Sequence, residues 1–368
     1  MGTTALAAWS TWSALSSGLP ADLDVDGLAR ETGALRRERQ DGVANGETLL
    51  RLCLAHGPGG KSLQETAAWA QLSGVAELTA QSLNERLHRS AAFLEAIVQR
   101  LLSQRPDRSV LWSGRCLRLA DGSSLSQPGS QGTDWRLHAV YELGGGFRHL
   151  QVTDRRGAES LLRCEPVANE VLIADRGYAR ARELQACLDQ AGRARRDFIV
   201  RVGWKALALQ QQDGTPFSLI EHLRRMPADG GPQEWPVQVV LSTAARPQVL
   251  PVRLIALPLP PDSAEINRRK LQRKASKHQD TLDPRSLIAA GFMVLVTSLP
   301  TEIPATEIGH VYRLRWQIEL AFKRLKSLLH IDRLPTRTPA GSLSWLYAHL
   351  ILILLTEDFC QQILDSSP

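Results

Sequence analysis

The chain has 368 residues, 43% of them hydrophobic and 22% charged, which is enough for two or three domains with a buried core and is not the composition of a disordered chain. The net charge of +6 and a pI near 9.3 incline it toward a polyanionic partner. Its five cysteines, Cys53, Cys116, Cys164, Cys187 and Cys360, stand singly with no CxxC pair, which argues against a zinc centre or a disulfide framework and suits a reducing cytoplasm.

The first residues lack a basic segment ahead of an apolar core, and the apolar run near 346–355 is too short to span a bilayer, so neither an export signal nor a membrane helix is expected. Residues 1–105 read as a helical domain. Ser62 and Glu65 have capping-box spacing at the head of "LQETAAWAQL", and a second helix runs from about Glu77 to Leu102. Such a pair is either a helix-turn-helix that grips DNA or an ordinary helical hairpin.

From Val110 the pattern turns to short strands. "VLWSGRCLRLADGS", "WRLHAVYEL" and "FRHLQVTD" read as three neighbouring antiparallel strands, the last two joined at Gly144–Gly146. A buried strand "VLIAD" follows, then a helix from about Ala179 to Ala191 and the strand "DFIVRVG". Residues 204–288 are broken by Pro and Gly and read as a β-rich insertion that ends in the basic block "RRKLQRKASKH". "FMVLVTSLP" (292–300) rejoins the main pattern, and a helix that starts near Pro304 runs through "YRLRWQIELAFKRLK". The whole is an α/β chain: a mixed sheet flanked by helices.

Asp121 and Asp175 each end an apolar strand, at the rim where open α/β sheets carry ligands; a turn-forming Asp is the alternative for either one alone. Glu319 falls on a polar helical stripe with Tyr312, Arg315, Lys323 and Lys326. That stripe is either a solvated face with i,i+4 ion pairs or a metal-ligand carboxylate beside phosphate-binding cations. Three carboxylates converging on one rim would need a cation, and oxygen-only ligation selects Mg²⁺, with Mn²⁺ as a substitute. Two such ions about 4 Å apart suit phosphodiester chemistry.

The spacing Tyr312-x2-Arg315-x3-Glu319-x6-Lys326 resembles the Y-R-E-K signature of bacterial DDE transposases of the insertion-sequence-four group. "ADGSS" (120–124) and "IADRGY" (173–178) resemble that family's two Asp motifs, and "TDWRLH" and "GAES" resemble sequence between them. The likeness runs from about Leu117 to Lys326. It implies an RNase H-like core in which Asp121, Asp175 and Glu319 hold two Mg²⁺ ions, and Tyr312, Arg315 and Lys326 grip the DNA backbone near the cut, with Lys323 on the same stripe. It further implies cleavage at the inverted-repeat ends of an insertion element, a hairpin step, joining to target DNA, a homodimer on double-stranded DNA, and a bacterial cytoplasmic, nucleoid-associated location. A flipped base would stack on an aromatic of the insertion, for which Trp204 and Trp235 are candidates and a core role the alternative. The basic block, with Arg268, Arg269, Lys270, Arg273 and Lys274, is either a solvated surface helix or a phosphate contact that weakens steeply with salt.

The expected divisions are 1–105 (helical, DNA-end binding), 106–203 (core, first part), 204–288 (β-rich insertion), 289–335 (core, second part) and 336–368 (helical tail). The functional alternative to a catalytic transposase is a transposase-derived DNA-binding regulator without activity.

Overall fold

The computed structural model describes residues 12–36, 42–106, 108–188, 196–227, 230–241 and 248–366. The chain forms two compact units. The first comprises Met1–Arg108, Gly122–Ala158 and Glu319–Pro368, the second Ser109–Asp121 and Glu159–Ile318.

Among the described residues the first unit opens with six helices: α1 (Trp12–Ser16), α2 (Val25–Glu31), α3 (Gly46–His56), α4 (Leu63–Leu72), α5 (Ala80–Arg89) and α6 (Ala91–Ser103). The capping box on α4 forms as its spacing predicts: Ser62 Oγ accepts from Glu65 N–H at 3.2 Å and Glu65 Oε2 accepts from Ser62 N–H at 2.8 Å. The helix expected over 77–102 is instead two. Ser90 interrupts it, with its N–H bonded only three residues back to Leu87 O and its hydroxyl donating to Arg86 O at 2.8 Å.

Strand β1 (Leu111–Trp112) folds back on β2 (Arg115–Leu125). Ser113 and Gly114 both have positive φ there, so the single strand expected from Val110 is a tight hairpin. In the first unit β3 (Trp135–Glu142) and β4 (Gly146–Asp154) pair antiparallel, and the order is β4-β3-β2, with 122–125 of β2 belonging to this unit. Gly144 and Gly146 both have positive φ, which explains the glycine run at this turn.

The second unit continues with β5 (Glu170–Ala174), α7 (Ala181–Ala186), β6 (Asp197–Arg201), β7 (Leu209–Gln210), α8 (Leu219–Arg225), β8 (Gln233–Val240), β9 (Val249–Pro258), α9 (Pro261–His278), α10 (Pro284–Ala289), β10 (Phe292–Thr297) and α11 (Ala305–Arg313). Its strands lie in the order β2-β5-β6-β10-β9-β8-β7. The β2, β5 and β6 strands are mutually parallel, and the remaining pairs are antiparallel. All five residues of β5 are buried, as a parallel strand covered on both faces requires. This is the mixed α/β, RNase H-like arrangement the sequence leads one to expect.

Residues 204–288 differ from the expected β-rich insertion. Strand β9 pairs with β10 and β8 with β9, so both extend the same sheet, and three helices lie among the described residues of the segment. The cause is visible in β9, whose run from Val252 to Leu257 is buried at every position, the pattern of an interior strand.

The helix expected to run unbroken from Pro304 past Lys326 is also two, α11 and α12 (Trp316–Leu329). At the break the N–H groups of Leu314, Arg315, Gln317 and Ile318 each bond to a carbonyl three residues back. The tighter turn resets the helical phase. Tyr312 and Arg315 therefore do not share a helix with Glu319 and Lys326. On α11, Gly309 lies where an added Cβ would collide with Leu257, so the helix presses closely on β9.

The last helix, α13 (Pro339–Ser366), is the spine of the first unit. Its stretch Pro339–Glu357 is longer than the apolar run read from the sequence and by length and composition could cross a bilayer, yet most of it is buried in the protein, as in the core helix of a folded domain. Its polar groups are tied inside: Ser344 Oγ donates to Leu87 O and Tyr347 OH to Glu95 Oε1.

Candidate active site at the strand ends

The parallel strands of the second unit set the geometry. Ala120 of β2 is in register with Ala174 of β5, and Ala174 with Val200 of β6. The next residues along these three strands are Asp121, Asp175 and Arg201. Three charged side chains thus emerge side by side at the carboxyl edge of a buried parallel sheet, where α/β folds carry their ligands. Asp121 does not terminate β2, as the sequence suggests, since the strand runs on to Leu125. What ends at Ala120 is the pairing with β5.

Asp175 heads the short 3₁₀ turn Arg176–Tyr178 but makes no side-chain capping bond. Its Oδ1 faces the Tyr312 hydroxyl at 3.5 Å and Arg201 Nη1 at 4.0 Å. Asp121 Oδ2 faces Arg315 Nη1 at 3.5 Å. Arg315 also lies over the Tyr312 ring, 6.0 Å from its centroid. These separations exceed those of tight charge-assisted bonds, about 2.7–2.9 Å. Side-chain exposure is 19% at Asp121 and 37% at Asp175, so solvent or a ligand reaches both.

Tyr312, placed by periodicity on the polar stripe, has a buried side chain, which rules out the solvated-face reading for this residue. Burial, reinforced by the charge of Asp175 and partly offset by Arg315, pushes its phenol up to about 12. It is therefore a neutral donor at physiological pH. The Tyr178 phenol is raised as well, by burial and then by Asp121.

Glu319 is exposed in the first turn of α12 and belongs to the first unit, a favourable place for a carboxylate because the helix N-terminus is electropositive. In the same unit Lys326 Nζ donates to Ser124 O at 3.3 Å, and Lys323 is exposed. Among the described residues, no group of three or more His, Cys, Asp or Glu stands close enough to hold a metal ion. The second unit itself supplies a pair, Asp121 and Asp175, rather than the expected trio. Their donor set is carboxylate oxygen alone, which fits a hard divalent cation and not a thiolate- or imidazole-seeking metal.

The basic block forms one long helix, α9. Arg268 Nε donates to Leu287 O at 3.3 Å, Arg269 pairs with Glu265 at 2.8 Å, and Arg273 is exposed. Lys270 and Lys274 line a cavity of about 400 Å³ together with Arg176 and Arg201. Both aromatic candidates have close ring neighbours. Lys205 Nζ and Arg285 Cζ lie 4.5 and 4.6 Å from the Trp204 ring centroid, and Trp235 packs against Phe217 and His222. Sequence reasoning missed Arg201 and Arg176. The signal for Arg201 was present, because "DFIVR" ends a buried apolar run on a charge just as "LIAD" does.

A family described as "Transposase DDE domain" matches residues 112–355 of the chain. The chain is 39% identical over 362 residues to "Putative transposase InsL for insertion sequence element IS186A" of Escherichia coli (strain K12), covering 97% of this chain and 96% of that protein. It is likewise 39% identical over 363 residues to "Transposase for insertion sequence element IS421" of Escherichia coli, with the same coverage. A more distant likeness, 24% over 346 residues, is to "Transposase for insertion sequence element IS231E" of Bacillus thuringiensis subsp. finitimus, covering 83% of this chain and 70% of that one.

Proposed function

The chain belongs to the DDE transposase family of insertion sequences, and from that premise we propose that it cuts DNA at the ends of its own element and joins them to target DNA, with Asp121, Asp175 and Glu319 as its three active carboxylates. The observation that carries the proposal is the register of Ala120 with Ala174, which brings Asp121 and Asp175 out on adjacent parallel strands. Glu319 enters from the motif spacing alone. Together the three would hold Mg²⁺. The bound ions would supply activation of the attacking hydroxyl and stabilisation of the leaving oxygen.

The chain's own residues have separable tasks. Arg315 offers a planar guanidinium for a phosphate beside Asp121. Tyr312, neutral and buried with its hydroxyl toward Asp175, orients that carboxylate and can donate to a phosphate oxygen. Lys326 adds positive charge on α12. The excess of basic over acidic residues, 44 to 38, favours association with double-stranded DNA in a salt-dependent way.

The test is Glu319→Gln and Asp175→Asn, assayed on the terminal DNA of the element with Mg²⁺. Each should lower strand cleavage by about 10³-fold or more, on the order of 4 kcal/mol, while end binding in EDTA stays near the parent value. Cleavage at the parent rate by either variant would sink the assignment. A parent protein that binds the ends and never nicks them would favour the non-catalytic regulator.

A further inference from the structure

The cavity in the second unit that reaches the carboxyl edge of the parallel strands holds about 400 Å³, and Arg176, Arg201, Lys270 and Lys274 are among its polar lining, with Asn267 and Ser286. None of its lining residues is acidic. Asp175 lies 4.0 Å from Arg201. Four cations from three segments face this concave surface, Arg176, Lys270 and Lys274 exposed to solvent and Arg201 half-buried, and a concavity lined by one sign of charge focuses a field that attracts an anion. A concavity of this size has room for more than one water-sized group.

Helix α9 divides its charge between two faces. Lys270 and Lys274 are four residues apart, hence on one side of the helix, and that side meets the cavity. Arg269 pairs with Glu265 on the helix surface, and Arg273 is not part of the lining. The Trp204 ring is engaged by Lys205 and Arg285, and its N–H donates to Ser286 Oγ at 3.2 Å.

We infer that this cavity seats the phosphodiester backbone of the DNA strand that runs past Asp175, with Arg176, Arg201, Lys270 and Lys274 as its phosphate contacts. The inference rests on the proposed DNA-cleaving function and adds residues that the motif does not contain. It assigns the inner face of α9, not its total charge, to the DNA.

The experiment measures anisotropy of a fluorescein-labelled duplex taken from the end of the element that carries the gene, in EDTA, across a series of KCl concentrations. It compares the parent with two double variants of the same helix that remove equal charge, K270Q/K274Q on the cavity side and R269Q/R273Q on the other. The cavity-side pair should make the slope of log affinity against log salt shallower by about 1.8, at roughly 0.9 per phosphate contact. The outer pair should change it by less than half as much, and Arg176→Gln alone should change it by about 0.9. Circular dichroism melts of all variants confirm that each remains folded. Equal effects from the two pairs, or none from the cavity-side pair, in a parent that binds and cuts the DNA would overturn this inference alone. A parent that neither binds nor cuts would overturn it together with the proposed function.

Discussion

The parallel strands of the second unit carry carboxylate and guanidinium groups at both ends, and the two ends are built differently. At the start of β5, Glu170 is fully buried and pairs with Arg196 Nε at 2.5 Å and Arg118 Nη1 at 3.1 Å, and it also accepts from Val167 N–H at 2.9 Å. Arg196 spends its other donors on Leu161 O at 2.9 Å and Glu165 O at 2.8 Å. At the far end, Asp121 and Asp175 meet their cationic neighbours at 3.5 and 4.0 Å and stay partly open to solvent. Saturated, desolvated pairs cannot exchange partners without a large penalty, whereas loosely held ones can pass to a ligand. The same residue types thus serve as a structural rivet at one edge and as chemistry in waiting at the other.

The largest effect should come from breaking the rivet. Glu170→Ala leaves the Arg196 charge buried without its carboxylate and should cost about 3–5 kcal/mol of stability, read by urea unfolding. Asp175→Asn, at the loose end, should cost less than about 1 kcal/mol in the same assay. If the two variants lost similar stability, the distinction between the edges would be void.

Much of this was legible in the sequence, and what was not has physical causes. The capping box at Ser62 is local chemistry and formed as read. Asp121 and Asp175 were visible because a charge directly after a buried run is informative. The helix break at Leu314 was hidden because no Pro or Gly marks it; the phase changes through hydrogen bonds drawn three residues back, which periodicity does not encode. Glu170 precedes "VLIAD" and reads as an ordinary solvated residue, since its partners Arg118 and Arg196 come from distant segments. Single-strand patterns likewise could not show that β8 and β9 join the main sheet, because strand pairing is a long-range property.

A second saturated interior lies in the first unit and extends the contrast to pH. His349 of α13 is buried and its Nδ1 lies 2.8 Å from Trp345 O. Burial, with the nearby His56 adding to it against the Trp345 carbonyl, pushes the imidazole down to about 4 from 6.5. Below 6.5 the unfolded chain therefore takes up a proton that the folded chain refuses. The stability from this group is complete above 6.5 and is lost as pH falls toward 4, on the order of 3 kcal/mol in all. Urea unfolding of the parent and His349→Gln across that window isolates the contribution. The variant should show a flatter dependence, and parallel curves would remove His349 from the saturated set.

The smallest effect on stability and the sharpest probe of the loose edge is Arg315→Gln. Its guanidinium stands 3.5 Å from Asp121 Oδ2, longer than a tight charge-assisted bond, and losing a pair held that loosely should cost well under the about 3–5 kcal/mol of a broken tight buried pair. Unfolding should therefore change little, while the salt slope of DNA binding should fall by about 0.9, the loss of one phosphate contact. Arg315→Lys should restore that slope, because the charge returns, but not full cleavage, because a point charge cannot copy the planar fork beside Asp121. A melting point lowered as far as that of Glu170→Ala would move Arg315 to the structural side of the comparison. An unchanged salt slope in the Gln variant would leave it at the strand ends as a partner of Asp121 and nothing more.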